Sequence, residues 1–300
     1  MTMQGRNASS GSVIVFFHPD EACIQHANRL AESTFCVVVD NTPGADSVPG
    51  LNPSVRYLPA GKNLGIATAL NRGIAELVCE GCRTGLLFDQ DSDPSVELIR
   101  ELPSILTRMV GRGERVAVVA PAYNDVRLGG VAPFVRFKPF KLERVPATGH
   151  NVVDVDFLIT SGSCINLACW PEVGAMDDSL FIDLVDLEWC VKAKRAGYRV
   201  LGVPWIKMNH ELGGEPVRVF GRSYPMHSPL RHYYLFRNVT ALVLRSYVPW
   251  TWKSTELVKL PVRLLIYSLM PSERTAHLTM ALRGIFDGLR GRLGAYKQQY

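Results

Sequence analysis

Residues 84–94 read Thr-Gly-Leu-Leu-Phe-Asp-Gln-Asp-Ser-Asp-Pro. The run that ends at Phe88 has the length and apolar character of a strand buried on both faces, and the polar residues after it are typical of a turn. In an open α/β sheet, ligands bind beyond the carboxyl ends of the strands. The stretch therefore predicts a buried strand that delivers acidic side chains to a binding site.

The surrounding sequence repeats this alternation of strand and helix. Apolar runs of strand length lie at 13–17, 35–39, 55–58 and 116–120, and helical patterns lie at 20–33, 63–79 and 95–110. Asn63 and Ser95 are the expected caps of the last two helices. This order predicts the α/β class, with an open, mainly parallel, twisted sheet and helices on both faces.

The second half of the chain is less regular. Its patterns predict a long loop at 129–151, a strand at 152–159, a helix of about ten residues after Asp183 and a strand at 198–203. From Arg231 onward the pattern is helical and basic.

Composition excludes several classes of protein. The 300 residues are 47% hydrophobic and 20% charged, which are globular values and exclude a disordered or collagen-like chain. No apolar run reaches the ~20 residues that a membrane span needs, and residues 1–12 lack the apolar core of a signal peptide. The seven scattered cysteines suit thiols in a reducing compartment, so we expect a cytoplasmic location.

The net charge of +5 is unevenly distributed. Residues 217–300 contain 13 Lys and Arg against 3 Asp and Glu, and the rest of the chain contains 20 against 25. A basic C-terminal region could meet nucleic acid, anionic lipid or a phosphorylated substrate, although solvated helix faces would give the same composition. No recognised nucleic-acid-binding motif is present, so we expect no nucleic-acid partner.

The acidic residues after Phe88 are the strongest candidates for a metal site. Asp89 and Asp91 alternate, so an extended backbone points both carboxylates to one side. Two hard oxygen ligands suit Mg²⁺ or Mn²⁺ and leave positions open for substrate phosphates. Helix capping by Ser92 or Asp93 would account for only one of these acidic residues.

A second acidic cluster comprises Asp183, Asp186 and Glu188. Asp183 and Asp186 share a helical face if the helix has begun, and their mutual repulsion would give the raised pKa that a general base needs. An acidic first turn that complements the helix dipole is an equally good interpretation of the spacing.

Three basic or imidazole side chains are further candidates. His210 could complete a metal site or be structural, and Arg231 and Arg237 could bind a diphosphate through their planar guanidinium groups or belong to a basic helix.

Motifs of dinucleotide dehydrogenases, P-loop enzymes, zinc proteases and serine hydrolases are absent, and the lone Cys79-x-x-Cys82 is expected to be structural.

The ordered set of motifs over residues 13–238 resembles glycosyltransferase family 2, the inverting nucleotide-sugar transferases with a GT-A fold. The matching segments are 13–17, 37–41, 63–71, 88–92, 181–198 and the His210 segment. The pattern of 89–92 together with Phe-Ile-Asp-x-Val-Asp-x-Glu-Trp at 181–189 is similar to the bacterial rhamnosyltransferase branch. That branch uses dTDP-L-rhamnose to build polysaccharide chains.

The resemblance implies a role for each matching residue. Asp186 matches the catalytic base, with Asp183 as the alternative because Val185 replaces the acidic residue that usually precedes the base. The first strand ends in Phe17-His18, where relatives often have Tyr-Asn. The metal ligands implied are Asp89, Asp91 and His210, and the residues implied to bind the nucleotide donor are Phe17, Asp40, Asn41, Asn63, Gly65, Asn71, Asp89, Gln90, Arg231 and Arg237.

The resemblance also implies a function and a domain plan. The expected activity is transfer of L-rhamnose from dTDP-L-rhamnose to a hydroxyl of a growing, lipid-linked polysaccharide; the alternatives are a UDP- or GDP-sugar donor, a nucleotidyltransferase, and a non-catalytic nucleotide-sugar-binding protein. Residues 1–11 are expected to be disordered, 12–240 to form the GT-A domain and 241–300 a basic helical extension at the cytoplasmic membrane face. The domain is expected to divide into a nucleotide-binding half, 12–120, and an acceptor-binding half, 121–240.

Overall fold

The computed structural model describes residues 10–125, 130–209, 216–219 and 222–297. The strands are β1 (Ser10–Phe16), β2 (Phe35–Asp40), β3 (Arg56–Pro59), β4 (Thr84–Asp89), β5 (Val116–Asp125), β6 (Gly130–Val131), β7 (Phe134–Lys138), β8 (Lys141–Val145), β9 (Val153–Asp154), β10 (Ser163–Asn166), β11 (Arg199–Asn209), β12 (Pro216–Val219) and β13 (Arg222–Pro225). The helices are α1 (Glu21–Ser33), α2 (Ile66–Cys79), α3 (Val96–Gly111), α4 (Trp170–Val173), α5 (Val185–Arg195), α6 (Pro229–Leu244), α7 (Trp250–Leu269) and α8 (Arg274–Leu289).

A nine-stranded sheet forms the centre of the protein. Its order is β3-β2-β1-β4-β10-β5-β11-β9, with β6 beside β5. The pairs β3–β2, β2–β1, β1–β4 and β5–β11 are parallel, whereas β10 is antiparallel to β4 and to β5. The predicted α/β class with a mainly parallel sheet is confirmed.

The two faces of the sheet bury alternate residues of the same strands. Val13 and Val37 face one core with α2 and α5, and Ile14 and Val38 face the other with α1 and α3. This period of two is the expected consequence of strand geometry, and it confirms the prediction of helices on both faces.

Two of the three helix starts that the sequence predicts are confirmed. The Asp20 side chain accepts a hydrogen bond from the Cys23 amide (2.9 Å), and Ser95 accepts one from the Leu98 amide (3.2 Å). The predicted cap at Asn63 is wrong, because α2 begins after Gly65. Gly65 has φ +81°, and a Cβ there would lie 2.6 Å from the Phe181 carbonyl oxygen, so only glycine fits.

The middle of the chain contains more strand than its sequence pattern predicts. The stretch at 129–151 includes the antiparallel hairpin β7–β8 instead of a continuous loop. The predicted strand at 152–159 is reduced to the two residues of β9, and β10 begins after the turn at 160–162. Cys79 is exposed and Cys82 is buried, and both are free thiols.

The C-terminal helices pack on one another. Two glycines of α8 allow a close approach to α6, since a Cβ at Gly284 would lie 2.4 Å from the Tyr233 carbonyl oxygen and one at Gly288 would lie 2.5 Å from that of Arg237. Helix α6 spans the predicted domain boundary at 240, and β1 begins at Ser10, inside the N-terminal stretch predicted to be disordered. Among the residues that the structure describes, no helix has both the length and the apolar character needed to cross a bilayer.

Candidate active site

The carboxyl ends of β1 and β4 are joined by one side chain. Gln90 follows β4, its Oε1 accepts a hydrogen bond from the Phe17 amide (2.7 Å), and its Nε2 donates to the Phe17 carbonyl (3.2 Å). The Phe17 ring is 44% exposed. Gln90 therefore holds an exposed aromatic ring at the sheet edge where the sequence predicts the nucleotide.

Asp40, at the end of β2, is almost fully buried. Its carboxylate accepts hydrogen bonds from the Thr42 amide (2.8 Å) and the Tyr57 hydroxyl (2.9 Å), while Thr42 accepts one from the His18 amide (2.7 Å). Asp40 thus fixes the loop beside Phe17, and a contact with a nucleoside would have to displace these partners.

The loop before α2 is held by the asparagines that the sequence assigns to the nucleotide pocket. Asn41 donates to the Gly65 carbonyl (3.1 Å), and Asn63 accepts from the Gly65 amide (2.9 Å). One turn further on, Asn71 accepts from the Met176 amide (3.0 Å) and donates to its carbonyl (2.9 Å). These three side chains position the loop and α2.

The two acidic residues after β4 differ in exposure. Asp89 is partly buried and Asp91 is exposed. The Asp89 backbone is fixed by Ser161 and Ser92, since its amide donates to the Ser161 hydroxyl (3.3 Å) and its carbonyl accepts from the Ser92 amide (3.1 Å). Asp93 lies apart, in an ion pair with Arg29 (2.5 Å).

The segment before α5 has an unusual backbone. Phe181, Asp183 and Leu184 have φ values of 65°, 66° and 64°. A left-handed conformation costs a non-glycine residue about 1–3 kcal/mol and persists only where the surroundings impose it. Such backbone strain is concentrated at functional sites.

Asn238 of α6 helps to hold the segment before α5 in its left-handed conformation. Its buried side-chain amide is within hydrogen-bond distance of the carbonyls of Leu180 (3.0 Å), Ile182 (2.7 Å) and Asp183 (2.9 Å). Asn238 is a positioning residue that the sequence analysis missed, because it is more than fifty positions away from the segment it holds.

Arg237 has the same role, which corrects its predicted contact with a diphosphate. Its guanidinium is fully buried and donates to the carbonyls of Leu180 (2.8 Å) and Gly294 (2.5 Å). These bonds hold it in the interior between α6, the segment before α5 and the C-terminal residues, so we remove it from the candidate site.

Asp183 is paired with Arg231, which lies in the first turn of α6. The Asp183 Oδ1 accepts hydrogen bonds from the Arg231 Nε (3.2 Å) and Nη2 (3.1 Å), and among the described residues its buried Oδ2 has no hydrogen-bond partner.

His227 lies beside this pair. Burial and the Arg231 charge lower the pKa of His227, and the Asp183 charge opposes them. Sequence analysis missed His227, which carried no motif.

Asp186, in the first turn of α5, has the most informative electrostatics. Burial is the main cause that raises its pKa to about 6, and the negative charges of Asp183 and Asp89 add to it, while a hydrogen bond from the Leu187 amide (2.8 Å) opposes the shift. The carboxyl lies at a small cavity lined by Leu158 and Trp189. The two acidic clusters of the sequence therefore meet at one site.

Glu188 is separate from that site. Its carboxylate is buried, accepts a hydrogen bond from the Tyr247 hydroxyl (2.6 Å) and pairs with Lys192 (3.3 Å). It stabilises the packing of α5 and is not a candidate for catalysis.

The donor set suits a hard cation. Asp89 and Asp91 offer carboxylate oxygens at the open edge, and the unpartnered Oδ2 of Asp183 is an orphaned acceptor in the same acidic region. In the described ranges, no three His, Cys, Asp or Glu side chains already converge as a complete metal site. The predicted ligand His210 lies outside the described residues.

Two curated proteins similar in sequence to this chain are glycosyltransferases. The dTDP-rhamnosyl transferase RfbF of Shigella flexneri is 29% identical over 298 residues, which is 96% of this chain and 98% of the relative. The low-salt glycan biosynthesis hexosyltransferase Agl10 of Haloferax volcanii is 22% identical, over 94% of this chain and 92% of the relative. No protein-family model matches the chain.

Solved structures show the same fold. GalNAc-T7, determined with UDP, GalNAc and Mn²⁺, has a TM-score of 0.57 and 14% identity over 96% of this chain, which spans 57% of the GalNAc-T7 chain. Residues 1–349 of Staphylococcus aureus TarS give a TM-score of 0.54 and 14% identity over 94% of this chain and 81% of TarS 1–349. The protein is therefore a nucleotide-sugar glycosyltransferase with a GT-A fold, and its sequence is similar to those of a rhamnosyl transferase and a hexosyltransferase.

Proposed function

We propose that this glycosyltransferase moves L-rhamnose from dTDP-L-rhamnose to a saccharide hydroxyl, with Asp186 as general base. The observation that carries the proposal is the partly buried Asp186 carboxyl, whose pKa is raised to about 6 beside Asp89 and Asp183. A base with a pKa near the operating pH is ionised and still accepts a proton effectively. The proposed donor is supported by the 29% identity with the dTDP-rhamnosyl transferase RfbF.

The chemical step transfers one glycosyl group with inversion. Asp186 takes the proton of the acceptor hydroxyl as its oxygen attacks the anomeric carbon from the face opposite the diphosphate. The bond between the anomeric carbon and the diphosphate oxygen breaks, and its electron pair leaves with dTDP. The transition state has oxocarbenium character, as in inverting glycosidases.

Asp186 is favoured over Asp183 as the base because of their different partners. The Asp183 Oδ1 is already engaged by two hydrogen bonds from the Arg231 guanidinium. The Asp186 carboxylate accepts a hydrogen bond from the neighbouring Leu187 amide (2.8 Å).

Asp89 and Asp91 are the residues that would hold Mg²⁺ or Mn²⁺. Such a cation, when bound, neutralises charge on the leaving diphosphate. We propose that Arg231, whose side chain is 44% exposed, contacts a diphosphate oxygen. We further propose a lipid-linked polysaccharide as the acceptor and the cytoplasmic side of the membrane as the location.

Thermal unfolding of the full chain tests the donor. A ligand at 100 times its Kd adds about 2.7 kcal/mol to the free energy of unfolding, which a thermal shift detects. We expect a shift with dTDP and dTDP-L-rhamnose that is larger with Mn²⁺ than with EDTA, and that Asp91→Asn reduces to the EDTA level.

The panel also includes UDP, GDP and their sugars. A shift only with UDP or GDP would replace the rhamnose donor and keep the transferase. No shift with any nucleotide, in protein that unfolds cooperatively, would reject a working nucleotide site.

A further inference from the structure

Helix α7 exposes a row of apolar side chains, although other apolar side chains of the helix, such as Trp252 and Ile266, are buried. Its exposed residues are all apolar, and they include Val258 at 55% and Leu265 at 62% exposure. We call this surface the α7 outer face; it comprises Trp250, Leu257, Val258, Pro261, Val262, Leu265 and Leu269. An amphipathic helix on the surface of a soluble protein normally has the opposite orientation.

Polar side chains of α7 form ion pairs and hydrogen bonds inside the protein. Glu256 is buried and pairs with Lys259 (3.2 Å) and with Arg263. Ser254 accepts a hydrogen bond from the Phe140 amide (2.9 Å), at the turn between β7 and β8. These bonds fix the rotation of the helix, so the apolar face cannot turn inward without breaking a buried ion-pair cluster.

Helix α8 extends the apolar surface. Leu278, Leu282, Phe286 and Leu289 are exposed by 39–58% and are spaced by three or four residues along the helix. The 20 residues of α7 span about 30 Å at 1.5 Å per residue. An uncharged stripe of this length is larger than the scattered apolar residues found on most protein surfaces.

The positive charge around α7 and α8 favours an anionic partner. Residues 217–300 carry a balance of +10, and Arg274, Arg290, Arg292 and Lys297 are exposed on or after α8. Two copies of so basic a surface repel each other, whereas an anionic surface attracts it. An apolar helix face flanked by positive charge is the pattern of a helix that lies in the interface of a bilayer.

We propose that the α7 outer face docks on an anionic phospholipid bilayer, with the helix lying in the plane of the headgroups. This changes which residues meet the lipid. Trp252 and Ile266 are buried, and Lys259 and Arg263 are engaged by Glu256, so the residues that meet the lipid include Trp250 and Leu265 instead. The proposal does not depend on the identity of the sugar donor.

Vesicle co-sedimentation of the full chain tests the docking. Vesicles of equal phosphatidylcholine and phosphatidylglycerol are compared with pure phosphatidylcholine. We expect binding to the anionic vesicles that weakens with salt, and a partition coefficient lowered about tenfold or more in the double variant Val258→Gln/Leu265→Gln. Both positions are exposed, so the fold is retained.

The matched control is Val78→Gln/Val96→Gln, which removes two exposed valines on α2 and α3. It should bind the anionic vesicles like the unmodified chain. Equal binding by the α7 variant and the control, or equal binding to neutral and anionic vesicles, would overturn the proposal. So would a dimer in sedimentation velocity that the α7 variant abolishes, because a second copy would then cover the face. The nucleotide-induced thermal shift of the α7 variant separates failure of docking from failure of the donor site.

Discussion

The two acidic segments of the active site are positioned by different parts of the molecule. Asp89 ends β4, which pairs with β1 and β10, so the central sheet alone delivers it to the edge. Asp183 lies in a segment with left-handed residues and is held by Arg231 and Asn238 of α6. The first segment is a product of local sequence, and the second depends on helices that follow it by about fifty residues.

We expect the two acidic segments to have different roles in the reaction. In the proposed function, the segment after β4 holds the cation and the donor diphosphate, and Asp183, in the segment before α5, contributes to the raised pKa of the proposed base. Perturbing the first should affect donor binding, and perturbing the second should affect the chemical step. Four experiments, in order of expected effect, test that division.

Replacing the base should have the largest effect. We expect Asp186→Asn to lower kcat by about 10²–10⁴-fold, because the acceptor hydroxyl loses its general base. The melting temperature should stay the same or rise, since the neutral amide avoids the cost of a partly buried charge. The assay is release of dTDP from dTDP-L-rhamnose in the presence of acceptor.

Asp183→Asn is the matched comparison for that variant. Its smaller loss of kcat would keep Asp186 as the base. A larger loss for Asp183→Asn, in folded protein, would reverse the assignment.

Loosening the support from α6 should have the next largest effect. Asn238→Ala removes the donor for three carbonyls, and a misplacement of about 1 Å costs up to ~10²-fold in rate. We expect kcat to fall by about 10- to 100-fold with little change in the donor KM, because Asp89 is held by the sheet.

The control is Thr240→Val, a buried residue of the same helix whose hydroxyl donates to the Phe236 carbonyl (2.8 Å), within α6. Steady-state kinetics of both variants are compared with their melting temperatures. If Thr240→Val lowers kcat as much as Asn238→Ala, the effect belongs to α6 stability and not to the support of the acidic segment.

The pH dependence reports on the base directly. We expect kcat to fall about tenfold per pH unit below pH 6, where Asp186 becomes protonated. Asp183→Asn should shift this midpoint to lower pH, since it removes a negative charge that raises the pKa. A midpoint that does not move would argue against coupling of the two carboxyls.

The same shift affects stability with a defined sign. The Asp186 pKa is about 6 in the folded chain and near 3.8 in the unfolded chain, so the folded state binds more protons between these values. The contribution of Asp186 to stability is therefore lost as the pH rises from about 4 to 6. Thermal melts of Asp186→Asn should lack this component.

The sequence predicted the features that depend on a few neighbouring residues. The β4 run, its acidic end and the Ser95 cap are encoded within a few residues, and the structure has them as predicted. Phe181, Asp183 and Leu184 adopt left-handed backbone with no glycine to signal it, since the cause is packing against α6. Arg237 illustrates the limit: its residue type suits a diphosphate, yet its partners are carbonyls that only the folded chain brings together.

The smallest effect should come from the link between β1 and β4. Gln90→Ala removes two hydrogen bonds to the Phe17 backbone, each contributing about 0.5–1.5 kcal/mol. We expect the donor KM to rise about 3- to 10-fold while kcat stays within about twofold, because Asp186 and its support from α6 are unchanged. Gln25→Ala, which removes the long contact with Glu21 (3.4 Å) on α1, is the control and should leave both constants unchanged. A fall in kcat as large as that of Asn238→Ala would mean that the two segments act as one unit and that the division of work proposed for them is wrong.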